Sequence, residues 1–387
     1  MTISIRNWKV ELPILVIAFS YFMVLINPLG WHMIIHVAPL YILFTLLSMK
    51  EMHIPCKHSI FCFAIFVLIS FFSGIILFQP GTSGKIIRYV YELFILLVFL
   101  SYPFKKENVR LLIKAYIVSD LLIAVKMLIQ RVHIETDESR FSILNFGKIM
   151  DPNYLAALFI FPICYLFYSC IKNGITLKTG IEISVLIAVV LSTGSRGAFV
   201  AIAIACGVIF IKESCNSKKL IGSIILIIIF SLIVYFIVPH RMLERFDYHN
   251  FFDDSNSLRF NLWKTALRIF ESSPYVGRGA NSMINLGIFY GARINLMAHN
   301  TYLEILADYG MLGFVFWIVP FVSVLNSGIK RNNFLVVGIL IGTYICAFFV
   351  TAEDSAFLWQ NVLLCYAIIS CQEDKSMYTG VNKVEFE

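Results

Sequence analysis

Apolar residues run in long blocks along this chain, broken by short polar connectors. Many blocks reach the roughly twenty helical residues that crossing a hydrocarbon core requires. The pattern predicts spans at 12–27, 29–49, 59–78, 86–103, 109–129, 153–171, 179–193, 196–212, 219–238, 301–326, 334–351 and 355–372. The seventh and eighth are joined only by Thr193-Gly194-Ser195, and the thirteen residues 182–194 would suit a buried or tilted segment as well as a full crossing. The expected fold class is all-α, a polytopic bundle of about twelve transmembrane helices, with 1–387 forming a single integral membrane domain. The pattern fails once at length: 239–300 turns polar and reads as one large aqueous loop.

Three polar stretches are long enough to build a site. In the first, 79–92, a Pro80-Gly81 turn launches a helix on which Arg88 and Glu92 stand four apart and can pair. The second, 131–153, contains Arg140 and ends in Asp151-Pro152-Asn153, a helix start because the residue before proline avoids αR and Asn caps well. Within the third, the large loop, Asp253-Asp254-Ser255-Asn256 reads as the cap of a helix through Ile269. Leu258, Leu262, Ala266 and Ile269 give it an apolar stripe suited to a membrane surface. Ser272-Ser273-Pro274 stops that helix, and Gly277-Arg278-Gly279 reads as a turn bringing backbone close to something.

Composition agrees with the hydropathy: 59% of residues are hydrophobic and only 14% charged, against roughly a quarter charged in soluble chains. Charge sets the expected orientation. With the N-terminus inside, the cytoplasmic connectors hold Lys50, Lys57, Lys105, Lys106, Arg110, Lys172, Lys178, Lys212, Lys330 and Arg331. The short outer connectors offer Lys85 against Glu353 and Asp354. That asymmetry is the positive-inside pattern, which long loops such as 239–300 escape. Both termini are therefore expected in the cytoplasm and the large loop outside. Much of the net charge of +7 is topological and the rest lies in the outer loops, so it gives no reason to expect nucleic acid. The nine cysteines show neither a disulfide framework nor zinc spacing. No removable signal peptide is expected, because the first apolar run lacks a small-residue cleavage site.

The chemistry concentrates in the arginines and one histidine. The large loop carries Arg241, Arg245, Arg259, Lys264, Arg268, Arg278 and Arg293, and it closes on His299-Asn300 at the head of an apolar run. Guanidinium forks match phosphate oxygens, and neutral imidazole takes a proton near neutral pH. Arg196 heads another apolar run between Gly194 and Gly197, which would let an anion approach a helix N-terminus. Its bland alternative is an arginine snorkelling to the headgroups. Glu304, five residues after His299, is a carboxylate that could orient the imidazole, and Asp308 follows a turn later.

These residues resemble a known family. Ser195-Arg196-Gly197-Ala198 follows an apolar run, Ser257-Leu258-Arg259 precedes Trp263, Pro274 and Gly277-Arg278-Gly279-Ala280-Asn281, and His299-Asn300-Thr301-Tyr302-Leu303-Glu304 precedes Tyr309-Gly310-Met311-Leu312-Gly313. Together with Asp151-Pro152-Asn153-Tyr154-Leu155-Ala156, this ordered set is similar to the O-antigen polymerase and O-antigen ligase superfamily across roughly residues 140–320. The resemblance implies a metal-independent glycosyltransferase of the GT-C type, needing no cofactor. It implies transfer of a glycan from undecaprenyl pyrophosphate to an acceptor sugar, at the outer face of the bacterial cytoplasmic (inner) membrane. By position, Arg196 and Arg259 would grip the pyrophosphate and His299 would deprotonate the acceptor hydroxyl. Arg88, Arg140 and Arg278 are further phosphate or sugar contacts, and Glu304 or Asp308 could replace His299 as base.

A polymerase would use a second lipid-linked repeat as acceptor, and a ligase lipid A core or a protein. The absence of an added soluble domain in the large loop favours the polymerase. Membrane lipid is an expected partner, a chain-length regulator and a flippase are possible ones, and nucleic acid is not. A transporter or flippase reading would need ionisable residues deep in several spans, where the sequence offers chiefly Asp120 and Lys126.

Overall fold

The computed structural model describes residues 8–26, 33–50, 58–77, 79–134, 137–145, 148–213 and 254–377. Five helices open the chain: α1 (Trp8–Ile26), α2 (Met33–Ser48), α3 (His58–Leu77), α4 (Thr82–Ser101) and α5 (Lys106–Gln130). After a short β segment come α6 (Pro152–Leu158), α7 (Ile160–Asn173), α8 (Leu177–Ser192) and α9 (Arg196–Glu213). The remaining described helices are α10 (Asp254–Ser272), α11 (Ser282–Leu286), α12 (Thr301–Lys330), α13 (Phe334–Ala347) and α14 (Ala356–Met377). The expected span 219–238, the loop start with Arg241 and Arg245, and Asp253 lie outside the described residues.

Three helical stretches, His58–Leu77, Pro152–Asn173 and Thr301–Lys330, are long and apolar enough to cross a membrane. Shorter apolar helices run at Leu12–Phe22, Phe334–Ala347 and Ala356–Cys371. This is a helical membrane protein; about twelve crossings is the expectation of the apolar pattern.

One short segment departs from the helical class, in two small antiparallel pairs: β1 (Val132–Ile134) with β2 (Asp137–Ser142) and β3 (Leu144–Asn145) with β4 (Lys148–Ile149). The alternation Val132-His133-Ile134 is a period-two signal too short to stand out beside long apolar runs.

Small residues let the helices approach closely. On α13, Gly338 and Gly342 are one turn apart, and a Cβ on either would come within 3 Å of α9 atoms: Ala205 O at 2.8 Å from Gly338 and Ala205 Cβ at 2.9 Å from Gly342. This is the small-xxx-small packing that membrane helices use, where apolar surface alone gives no drive to associate.

The long helix α12 is broken at Gly310 (φ 65°, ψ −166°). A break inside an apolar helix leaves backbone groups without partners, and water cannot repair them in lipid. Here the segment after α10 supplies the partners. Arg278 N–H donates to the Ala307 carbonyl (3.0 Å) and Gly279 N–H to that of Asp308 (2.8 Å), while Met311 N–H donates to Pro274 O (2.8 Å) and Leu312 N–H to Tyr275 O (3.1 Å). Glycine is required on both sides. A Cβ on Gly277 would lie 2.3 Å from Asp308 O, and one on Gly310 would lie 2.4 Å from the Tyr275 carbonyl carbon. The turn expected at 277–279 thus meets the Tyr309-Gly310-Met311 motif.

This docking also corrects the expectation for α10. Its apolar stripe, Leu262, Ala266 and Ile269, is fully buried against Met283, Ala298 and Ala307. The stripe is covered by the protein's own loop and the head of α12, so it is not available to a membrane surface.

Candidate functional site

Two loops meet at the head of α12. Asn300 is the N-cap, its side-chain oxygen accepting from Tyr302 N (3.0 Å) and Leu303 N (3.1 Å). Glu304 reaches back, Oε2 accepting from Ala298 N at 2.7 Å. His299 lies between these two anchors with φ 50°, a left-handed conformation uncommon for a residue with a side chain. Such conformations persist where the surroundings over-determine them. Thr301 then joins the turn to the α13–α14 connector: its hydroxyl donates to Val350 O (2.7 Å) and accepts from Ala352 N (2.9 Å).

That stitching places His299 on a cavity of about 630 Å³ that is also lined by Lys85 and Arg88 of α4, Asp151 and Tyr154 at the α6 head, and Glu353 and Asp354. Asn281, Asn285 and Asn295 add amides. The charges are paired. Lys85 Nζ lies 2.9 Å from Asp308 Oδ2 and 3.0 Å from Glu353 Oε1, and Arg88 Nη1 lies 2.5 Å from Asp354 Oδ2. Tyr154 hydroxyl donates to the Thr351 carbonyl.

His299 and Asp354, both on the cavity, titrate away from their ordinary values. Burial holds the His299 imidazole below its usual range; Asp151 pulls it up and Arg259 pushes it further down. The ring is therefore neutral at neutral pH and can accept a proton. The Asp354 carboxyl is pushed up to about 7 by burial and by Glu353, against the opposing pull of Arg88 and Lys85.

The residues expected from sequence divide. His299 and Arg88 face the cavity, and Arg259 is near enough to act on His299. Arg196 is the first residue of α9, after a turn made by Gly194 (φ 63°). Arg140 donates from Nε to the Thr193 carbonyl (2.9 Å) and from Nη2 to Asn153 Oδ1 (3.0 Å), joining the β segment to that turn. Arg278 is held at the end of α10, with Nε on Ser272 Oγ (2.9 Å) and Nη2 on Ser272 O (3.0 Å).

Four expectations change. Glu304 is fully buried, and its hydrogen bond goes to the Ala298 amide rather than to the imidazole; the carboxylate acting on His299 is Asp151. Asp308 is fully buried too and accepts from Asn281 N, Ser282 N and Ser282 Oγ besides Lys85, which is a structural position. The cap of α6 is Asp151 itself, accepting from Asn153 N at 2.7 Å, with Pro152 in the first turn. Gly197 makes room for the Phe349 ring, 2.8 Å from where its Cβ would be, and not for an anion.

Lys85, Glu353 and Asp354 were legible only as connector charges, and Asp151 only as part of a helix start. What could have marked them is position: each stands beside an apolar run, where an unpaired charge is costly. Among the described residues, no His, Cys, Asp or Glu group has the makeup of a metal site.

Residues 183–318 match a family model described as O-antigen ligase. The match takes in Arg196, Arg259, Arg278 and His299, and both halves of the Gly277–Gly310 docking. The match agrees with the resemblance of the sequence motifs to the O-antigen polymerase and ligase superfamily. Members of this family are glycosyltransferase-like enzymes of lipid-linked polysaccharide assembly. Lys85, Arg88 and Asp151 lie before the matched segment, yet they line the cavity with its histidine. No curated protein matches the chain.

Proposed function

We propose that this chain is a polysaccharide polymerase of the O-antigen polymerase and ligase superfamily. It transfers a glycan from undecaprenyl pyrophosphate to a sugar hydroxyl of another lipid-linked repeat, at the outer face of the bacterial cytoplasmic membrane. The observation that carries the reading is His299, a neutral imidazole on a constrained turn facing a cavity of about 630 Å³ rich in amides and carboxylates. Such a lining suits a polyhydroxylated sugar better than a phosphate, because the cations Lys85 and Arg88 are already paired.

In the proposed reaction the acceptor oxygen attacks the anomeric carbon as the bond from that carbon to the pyrophosphate oxygen breaks. His299 takes the hydroxyl proton, and undecaprenyl pyrophosphate leaves with the electron pair and one more negative charge. Attack opposite the leaving group inverts the anomeric centre. Arg196 and Arg259 hold the pyrophosphate, and fixed guanidiniums stabilise the transition state more than the ground state because charge grows there. Arg88 and Arg140 act instead through their partners Asp354 and Asn153, and Arg278 secures α10. The positive-inside distribution puts both termini in the cytoplasm and the 239–300 loop outside. Residues 1–387 then form a single membrane domain.

The ligase reading keeps the same chemistry with lipid A core or a protein as acceptor, and it is the activity that the matched family's description names. Deleting the gene and complementing with wild type or Arg196→Ala separates the two. Surface glycan shortened to one repeat, restored only by wild type, establishes a polymerase. Long chains left on the lipid carrier establish a ligase.

A further inference from the structure

The reaction above does not use the hydrogen bonds that hold Asp151 at the cavity of His299. Asp151 and His299 line one cavity from two helices far apart in the sequence: Asp151 from the head of α6, His299 from the head of α12. The Asp151 carboxylate is fixed, because Oδ1 accepts from Asn153 N at 2.7 Å and the backbone is extended at φ −63°, ψ 122°. Asn153 is fixed in turn by Arg140 Nη2 (3.0 Å), and Arg140 Nε donates to the Thr193 carbonyl (2.9 Å), three residues before Arg196. A continuous run of hydrogen bonds therefore leads from the turn carrying Arg196 to the carboxylate that lines the cavity with the imidazole.

We propose that Asp151 is the positioning residue for His299, orienting the imidazole for proton transfer and registering it against the Arg196 turn. The proposal rests on the reading of His299 as the base. Of the charges facing the ring, Asp151 favours the protonated form that proton transfer creates, and Arg259 opposes it. The other charges on the cavity are engaged elsewhere, Lys85 with Asp308 and Glu353, and Arg88 with Asp354. A carboxylate that orients an imidazole and stabilises its protonated form is an established device for a general base.

The competing role is capping alone, and one substitution separates the two. Asn caps a helix about as well as Asp, so Asp151→Asn keeps the cap and removes the charge. The test uses the full-length protein in nanodiscs, with histidine-labelled NMR and His299 assigned by difference against His299→Gln. In Asp151→Asn the His299 midpoint should move to lower pH, the transfer rate should fall by about ten- to a hundredfold, and its acidic limb should move the same way. The thermal midpoint should stay that of wild type. An unmoved titration and limb beside an inactive His299→Gln overturn the proposal alone. Full activity in His299→Gln overturns the base assignment and the proposal with it.

Discussion

Lys85 Nζ lies 2.9 Å from Asp308 Oδ2, with both side chains almost closed to solvent. The two residues are 223 positions apart, one at the head of α4 and the other just before the break in α12. Asp308 also accepts from the first amides of α11, and Lys85 reaches Glu353 at 3.0 Å. One cation therefore compensates two buried carboxylates and ties three segments around the cavity.

Lys85→Met should accordingly destabilise the protein by about 3–5 kcal/mol, because removing one partner strands buried charge. Thermal unfolding in detergent measures it. A midpoint equal to wild type would show that the carboxylates do not depend on Lys85.

Gly277→Ala and Gly310→Ala should each cost about 2 kcal/mol or more, since both positions have positive φ and a methyl would strike backbone. Gly180→Ala is the control, with open space at its Cβ. Comparable unfolding midpoints for all three variants would contradict the docking of 274–279 on the α12 break.

Glu304 and His299 separate by substitution. Glu304→Gln keeps an oxygen that can accept from Ala298 N, so the turn and most of the activity should survive. Glu304→Ala should lose both, at about 1–3 kcal/mol for the stranded buried amide. Loss of all turnover in a well-folded Glu304→Gln would make Glu304 the base.

Asp354 makes stability depend on pH. Its carboxyl is raised to about 7 in the folded state, chiefly by burial, whereas in the unfolded chain it titrates near the ordinary value of about 4. Between those values the folded state binds more protons, so this contribution is complete below about pH 4 and is lost as pH rises through about 7. Comparing thermal midpoints at pH 5 and pH 8, Asp354→Asn should show a smaller drop than wild type. An unchanged drop would assign the dependence to other groups.

The helices were legible because their signal is local. Apolar runs predicted at 59–78, 301–326 and 334–351 correspond to His58–Leu77, Thr301–Lys330 and Phe334–Ala347, with boundaries shifted by a few residues. His299 was legible too, since a histidine closing a polar loop is visible in one dimension. Its partners were not. Asp151 lies 148 positions before His299, and only the fold shows that the carboxylate beside the ring is Asp151 and not the sequence neighbour Glu304. Gly310 stood inside an apolar run with nothing to mark a break, because its missing hydrogen bonds are supplied by 274–279.

The most direct test of the account is transfer by the purified protein in liposomes, supplied with undecaprenyl-pyrophosphate-linked repeats, for wild type and His299→Ala. The account predicts elongated lipid-linked glycan from wild type, and a rate at least about a hundredfold lower from a His299→Ala protein of unchanged thermal midpoint. Elongation by His299→Ala at the wild-type rate would contradict it.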